Sequence, residues 1–207
     1  MTAGTASPSA GTDRSDFTHV LVSGTRIGAA IGAAVIAYLL VSRQVPAGLA
    51  RAVLQALIVL TGAVAASLLP ARWAMARGPQ GMAGAAAIGL WGTIVFMATD
   101  IVVLRPVKAY PWTWDAVGGG SSWWYLPVWW MLGTFVAWMG GLLTAGRAAR
   151  GGPTTLVALA TPVLGGTVAI TAAAQLAHLG VYLPVAAGAA YALTLTVLAV
   201  VAIARKA

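Results

Sequence analysis

The sequence has few of the side chains that carry most protein chemistry. Its 207 residues include no cysteine, and the only acidic residues are Asp13, Asp16, Asp100 and Asp115. The lack of cysteine excludes disulfides, thiolate metal sites, covalently attached c-type haem and a lipidated cysteine anchor. With no glutamate and only two histidines, the chain cannot supply a dinuclear carboxylate site or a bis-histidine haem site within a helix bundle. We therefore predict no metal site.

Charge is scarce as well. Only 8% of the residues are charged and 60% are hydrophobic, whereas soluble domains are roughly 25% charged and about 45–50% apolar. So few charged side chains cannot cover a surface that faces water. The solvent for most of the chain must therefore be lipid.

Six apolar stretches are long enough to cross a hydrocarbon core of about 30 Å. Proline and glycine beside charged residues separate them, which favours six helices over fewer, longer ones. The predicted spans are 20–41, 49–69, 81–104, 123–145, 154–177 and 181–204. Arg26 lies within the first span, so a shorter helix from Ile27 with a snorkelling arginine is an alternative. We predict an all-α, multi-pass membrane helix bundle over residues 20–207, preceded by a polar flexible tail over residues 1–19.

The cations predict how the bundle is oriented. Counted on alternate sides of the membrane, eight of the twelve Lys and Arg residues fall on one side and four on the other. The larger group is Arg14, Arg26, Arg72, Arg77, Arg147, Arg150, Arg205 and Lys206, and the smaller is Arg43, Arg51, Arg105 and Lys108. Because cytoplasmic loops are rich in Lys and Arg, we expect both termini in the cytoplasm. The expected location is a bacterial-type inner membrane. The net charge of +8 then matches an anionic membrane surface, and no nucleic-acid partner is expected.

Small residues form a stripe on the first span. Gly24, Gly28 and Gly32 recur every four residues, which places them on one helix face. In lipid, close packing of small residues holds helices together. We predict a helix-packing face, whose partner is either another helix of this chain or another membrane subunit.

Seven of the nine tryptophans lie between Trp112 and Trp138, and all of these but Trp138 are in or near a predicted aromatic outer loop at 105–122. An aromatic belt at the headgroup level accounts for many of them. Their density in one loop also indicates either an ordered cap on the bilayer or a wall against a flat hydrophobic molecule such as a carotenoid, a quinone or a chlorophyll-type pigment. The bound molecule would be a carotenoid, a quinone or a lipid. The candidate ligand-binding residues are Trp112, Trp114, Trp123, Trp124, Tyr125, Trp129 and Trp130, together with Gln175 and His178.

Asp100 lies near the outer end of the third span, followed by Arg105 and Lys108. A carboxylate at that depth needs a partner, so we predict a structural ion pair of Asp100 with Arg105 or Lys108. Asp115, in the loop that follows, is expected to be more exposed and to cap a turn.

A polar stripe runs along the fifth span, because Thr167, Thr171, Gln175 and His178 share one helical face. Contacts with neighbouring helices explain such a stripe without any function. The topology puts His178 on the same side as Asp100, so the alternative is a polar and aromatic pocket at the outer membrane face.

The stretch from Asp100 to Gly133 resembles part of the carotenoid hydratase family related to bisanhydrobacterioruberin hydratase. The matching features are Asp100, Pro106, Trp112-Thr113-Trp114-Asp115, Gly118-Gly119-Gly120 and Tyr125-Leu126-Pro127. Arg105 departs from the pattern, since the family has an acid before the proline. The resemblance implies a polyene substrate and acid-catalysed addition of water across a terminal double bond, with Asp100 or Asp115 protonating the alkene. Pro127-Val128-Trp129 and Met139-Gly140 are similar to tryptophan-rich sensory (translocator) proteins.

Three functions follow from these patterns. The preferred one is an accessory or scaffold subunit of a larger membrane complex, energy-converting or photosynthetic, in contact with lipids and other membrane subunits. The shortage of acids and histidines and the small-residue faces favour it. The second is a carotenoid- or isoprenoid-modifying enzyme that uses Asp100 and Asp115. The third is a transporter or sensor of a hydrophobic ligand.

Overall fold

The described part of the chain forms six long helices. The computed structural model describes residues 15–106 and 125–205, without the side chains of Tyr125 and Leu126. The helices are α1 (Phe17–Gln44), α2 (Leu49–Trp73), α3 (Pro79–Thr99), α4 (Tyr125–Ala148), α5 (Leu156–Leu176) and α6 (Leu183–Ala204). A π-helical turn, Asp100–Leu104, continues α3. All six helices are long and apolar enough to cross a membrane, so the predicted all-α, six-span fold is confirmed.

The first helix begins where a side chain caps it. The Asp16 carboxylate accepts a hydrogen bond from the backbone N–H of His19 at 2.9 Å, which satisfies one of the free donors at the start of α1. The helix therefore includes Phe17 to His19, which belong to the predicted tail. Arg26 lies within α1, so the alternative start at Ile27 is wrong. Residues 1–14 of the tail lie outside the described residues.

The second helix runs further than expected. The predicted span ends at residue 69, but α2 continues through Pro70 to Trp73. A proline removes one hydrogen bond of the helix, and neighbouring helices in a membrane bundle compensate for such a loss. The chain leaves α2 through Met75, whose φ of 49° lies in the left-handed region.

The bundle is built around α2, which packs against each of the other five helices. α3 packs between α1 and α4, α4 also contacts α6, and α5 packs mainly on α6. The largest core cluster joins α2, α4, α5 and α6, and a second joins α1, α2 and α3. We call the end of the bundle with Arg43, Arg51 and Arg105 the outer end, following the predicted orientation, and the opposite end the inner end.

Glycines allow close contact between α1 and α3. A Cβ added at Gly28 would lie 2.6 Å from the carbonyl oxygen of Gly92, and one added at Gly24 would lie 2.7 Å from Cδ1 of Trp91. Gly32, on the same face, is buried opposite Thr99. The glycine stripe of α1 is thus occupied by a helix of the same chain.

A second face of α3 lies equally close to α4. A Cβ added at Gly89 would lie 2.7 Å from the carbonyl oxygen of Gly133 and would overlap the side chain of Ala137. Glycines on two faces therefore place α3 tightly between α1 and α4.

By contrast, α5 is packed only along its inner half. Its buried residues are Leu159, Ala160, Val163 and Thr167. From Val168 to Gly180 every residue is exposed or half-buried. The outer half of α5 consequently lies at the edge of the bundle.

Candidate functional site at the outer end of the bundle

Asp100 opens the π-helical turn and is only 2% exposed. The turn is closed by a hydrogen bond of 2.9 Å from the backbone N–H of Arg105 to the carbonyl of Asp100. In an α-helix, residues five apart are separated by about 140° around the axis. The wider turn instead brings them to one side, and Arg105 Nε lies 3.3 Å from Asp100 Oδ2.

This ion pair involves one of the two partners named from the sequence. Arg105 is the partner, and its side chain is 33% exposed, so the pair is buried on the Asp100 side and open on the other. Lys108, the other named partner, lies outside the described residues, as does Asp115. The pair ties the end of the third span together, and π turns are frequent at functional sites.

Two aromatic rings pack near this turn. Phe96 of α3 and Trp129 of α4 meet edge to face, with their centroids 6.4 Å apart and their planes at 66°. Trp130, the next residue, is 39% exposed. The other predicted ligand-binding aromatic side chains are not among the described ones: Trp112, Trp114, Trp123 and Trp124, and the side chain of Tyr125.

Two residues of the polar stripe of α5 make local hydrogen bonds. Thr167 Oγ1 donates to the carbonyl of Val163 at 2.7 Å, and Gln175 Nε2 donates to the carbonyl of Val181 at 3.1 Å. His178 is exposed in the turn after α5. Because α3 packs between α1 and α4 while α5 packs on α6, helix packing does not bring His178 beside Asp100.

A second polar group at the outer end was not predicted. Gln55 of α2 is 3% exposed and uses both ends of its amide. Its Nε2 donates to Ser42 Oγ at 2.6 Å, and its Oε1 accepts from the hydroxyl of Tyr182. Ser42 Oγ donates to the carbonyl of Tyr38 at 2.8 Å, and Arg51 Nη1 donates to the carbonyl of Ser42 at 3.3 Å. We call these five residues the outer polar cluster.

The outer polar cluster joins the outer ends of α1 and α2 to the start of α6. Its hydroxyl, amide and guanidinium groups can hold helices or bind a polar group, but it has no carboxylate for acid catalysis. The sequence did carry a signal for it, since Gln55 is a lone amide in the apolar stretch Ala52–Leu60. A polar side chain in a span needs a partner on another helix.

A third polar contact lies deeper in the bundle. Ser67 of α2 and Tyr191 of α6 are almost completely buried, and their hydroxyl oxygens are 2.7 Å apart. α4 approaches the same point, because a Cβ added at Gly140 would overlap the carbonyl oxygen of Ser67. The contact belongs to the packed core.

These features define the class of the protein: a multi-pass membrane protein of six helices. Within residues 15–106 and 125–205, no three His, Cys, Asp or Glu side chains are grouped so that they could hold a metal ion. Comparison of the chain with protein-family models, with curated proteins and with solved structures found no match. The resemblance to the carotenoid hydratase family remains a prediction.

Proposed function

We propose that the chain is an accessory subunit of a larger membrane complex, energy-converting or photosynthetic in type. It would contact a neighbouring subunit, or a flat apolar ligand such as a carotenoid or quinone, along α4. That helix presents a row of large exposed side chains at helical spacing: Val128, Met131, Phe135 and Trp138. Lipid alone could cover the apolar members of this row.

Trp138 is the observation that carries the proposal. Its side chain is 46% exposed, and no residue in the described part of the chain accepts a hydrogen bond from its indole N–H. It lies ten residues before Ala148 and thirteen after Tyr125, about 15 Å and about 20 Å along the helix. Tryptophan usually lies at the membrane interface, where acceptors are available.

Trp91 shows how the chain treats an indole at a similar position in a span. Its Nε1 donates to Thr25 Oγ1 on α1 at 3.1 Å. An unpaired N–H in hydrocarbon is unfavourable by several kcal/mol. Trp138 therefore favours a neighbour with an acceptor at that depth, such as a polar group of a partner helix or the carbonyl of a quinone.

Purification from the native membrane in a mild detergent tests the proposal. Native mass spectrometry and size-exclusion chromatography should find the chain with another subunit or a bound pigment. Trp138→Phe, which removes only the N–H donor and part of the ring, should weaken this association about tenfold, the loss of one hydrogen bond. Trp91→Phe is the matched control, since it should lower thermal stability and leave the association unchanged. A wild-type chain that runs alone would contradict the proposal.

A carotenoid hydratase is the second candidate, because Asp100 is the only acid inside a membrane-spanning helix of the described residues. Asp100 accepts from Arg105, however, whereas protonating an alkene needs a transferable proton. Expression in a carotenoid-producing host tests this candidate. The enzyme should add one water to the pigment, and Asp100→Asn should abolish the addition. An unchanged pigment with the wild-type chain would exclude the activity on that pigment.

A further inference from the structure

The part of the chain from α4 onwards contains cations and no acidic side chain. After Asp115 the sequence has Arg147, Arg150, Arg205 and Lys206 but no aspartate or glutamate. α4 ends just before Arg150 and α6 ends just before Arg205, and both helices end at the inner end of the bundle. Their counter-charge must come from outside this part of the chain.

Two of the guanidinium groups are held at a junction of three helices. Arg147 Nη1 donates to the carbonyl of Ala158 in the first turn of α5. Arg150 Nη1 donates to the carbonyl of Ala202, near the end of α6, at 3.2 Å. Each of these groups keeps Nε and Nη2, for which the described residues provide no acceptor. Arg205, at the end of α6, is exposed.

The part of the chain before α4 does not neutralise the inner end. It adds Arg72 and Arg77 there, which are both exposed. Asp16 is the one acid at the inner end among the described residues, and its carboxylate already caps α1. The inner end therefore has a clear excess of positive charge.

The type of cation indicates what binds. Lys108 and Lys206 are the only lysines, so ten of the twelve cations are arginines. A guanidinium presents a planar fork of donors that matches the oxygens of a phosphate group, whereas an ammonium is a point charge. Anionic phospholipids present phosphates at the depth where these helices end.

We propose that Arg147, Arg150 and Arg205 form a binding site for the phosphate of an anionic phospholipid at the inner ends of α4, α5 and α6. The carbonyl bonds of Arg147 and Arg150 position the two guanidinium groups before the lipid arrives. The site is independent of the association proposed for Trp138.

Lipid titration of the purified chain in detergent tests the site. Phosphatidylglycerol should raise the melting temperature of the wild-type chain, and phosphatidylcholine should not. The double variant Arg150→Gln, Arg205→Gln removes two exposed cations and should bind phosphatidylglycerol about tenfold more weakly, or worse. The double variant Arg150→Lys, Arg205→Lys keeps the charge but loses the forked donors. Its affinity for phosphatidylglycerol should therefore lie between that of the wild-type chain and that of the glutamine double variant.

The double variant Arg72→Gln, Arg77→Gln is the matched control, since it removes the same charge from exposed positions at the same end. Its affinity for phosphatidylglycerol should stay within about threefold of the wild-type value. An equal loss in both double variants would show diffuse attraction and overturn the site. Equal binding of phosphatidylglycerol and phosphatidylcholine would also overturn the site. The same holds if inorganic phosphate raises the melting temperature as much as phosphatidylglycerol does.

Discussion

α3 and α5 are both apolar helices of 21 residues, but the bundle holds them differently. Eight residues of α3 are buried, four of them glycines, and the helix contacts α1 on one face and α4 on the other. Only four residues of α5 are buried, all in its inner half. Since the two helices are similarly apolar on average, hydrophobicity does not explain the difference.

The position of the glycines explains it better. Lipid is as apolar as leucine, so helices in a membrane associate through close packing. Gly89 of α3 faces the backbone of α4, and Gly92 faces the backbone of α1. In α5, Gly166 faces Thr194, but a Cβ added at Gly165 would meet nothing within 4 Å. A glycine therefore contributes to packing only where a second helix uses the space.

Substitution of matched glycines should give the largest effect. Gly89→Ala places a methyl group against the backbone of Gly133 and the side chain of Ala137, so we expect a loss of about 2–3 kcal/mol in the free energy of unfolding. Gly165→Ala fills open space and adds helix propensity, so it should be neutral or slightly stabilising. Unfolding in mixed detergent measures both. Similar losses at both positions would remove the distinction between the helices.

Gln55→Leu should loosen the α5 side of the bundle and leave the α3 side unchanged. Tyr182, in the connection from α5 to α6, loses the acceptor for its hydroxyl. We expect a loss of about 1–2 kcal/mol in the free energy of unfolding. Hydrogen exchange should increase around residues 177–183 and not in α3. Gln44→Leu, at an exposed position at the end of α1, is the control and should change neither quantity. Faster exchange in α3 as well would mean that Gln55 supports the whole bundle.

His178→Gly should give the smallest effect, a stabilisation of about 1 kcal/mol. His178 follows the end of α5 with φ of 51°, and Leu179 N–H bonds the carbonyl of Ala174 at 3.3 Å. Gly151, with φ of 67°, has the equivalent position after α4, so Gly151→Ala should destabilise by a similar amount. Thermal melting of both variants checks the opposite signs. A melting temperature lowered by His178→Gly would show that the imidazole has a role at this end.

The local parts of this architecture were predictable from the sequence. Hydropathy and length give six spans because each span satisfies its own backbone hydrogen bonds. The partner of Asp100 could be narrowed to Arg105 or Lys108, because both cations follow it within a few residues of the chain. The continuation of α2 through Pro70 was missed, because neighbouring helices decide whether a proline ends a helix.

The outer polar cluster was missed for a different reason. Gln55 and Tyr182 are 127 positions apart, and no local pattern tells which helices become neighbours. The expected pocket of Asp100 and His178 assumed that residues on one side of the membrane meet. In a bundle with a central helix such residues need not meet, because α3 and α5 pack against different neighbours.

The π-helical turn at Asp100–Leu104 has a consequence for how this chain tolerates change in length. Such a turn contains one residue more than an α-helical turn, as an insertion into a regular helix would produce. Deleting one residue within it, such as Val102, would restore α-helical geometry. Arg105 would then be the fourth residue after Asp100, and an α-helix places residues four apart on one face, so the ion pair would persist. Homologous chains that lack this one residue should therefore still carry the aspartate and its arginine.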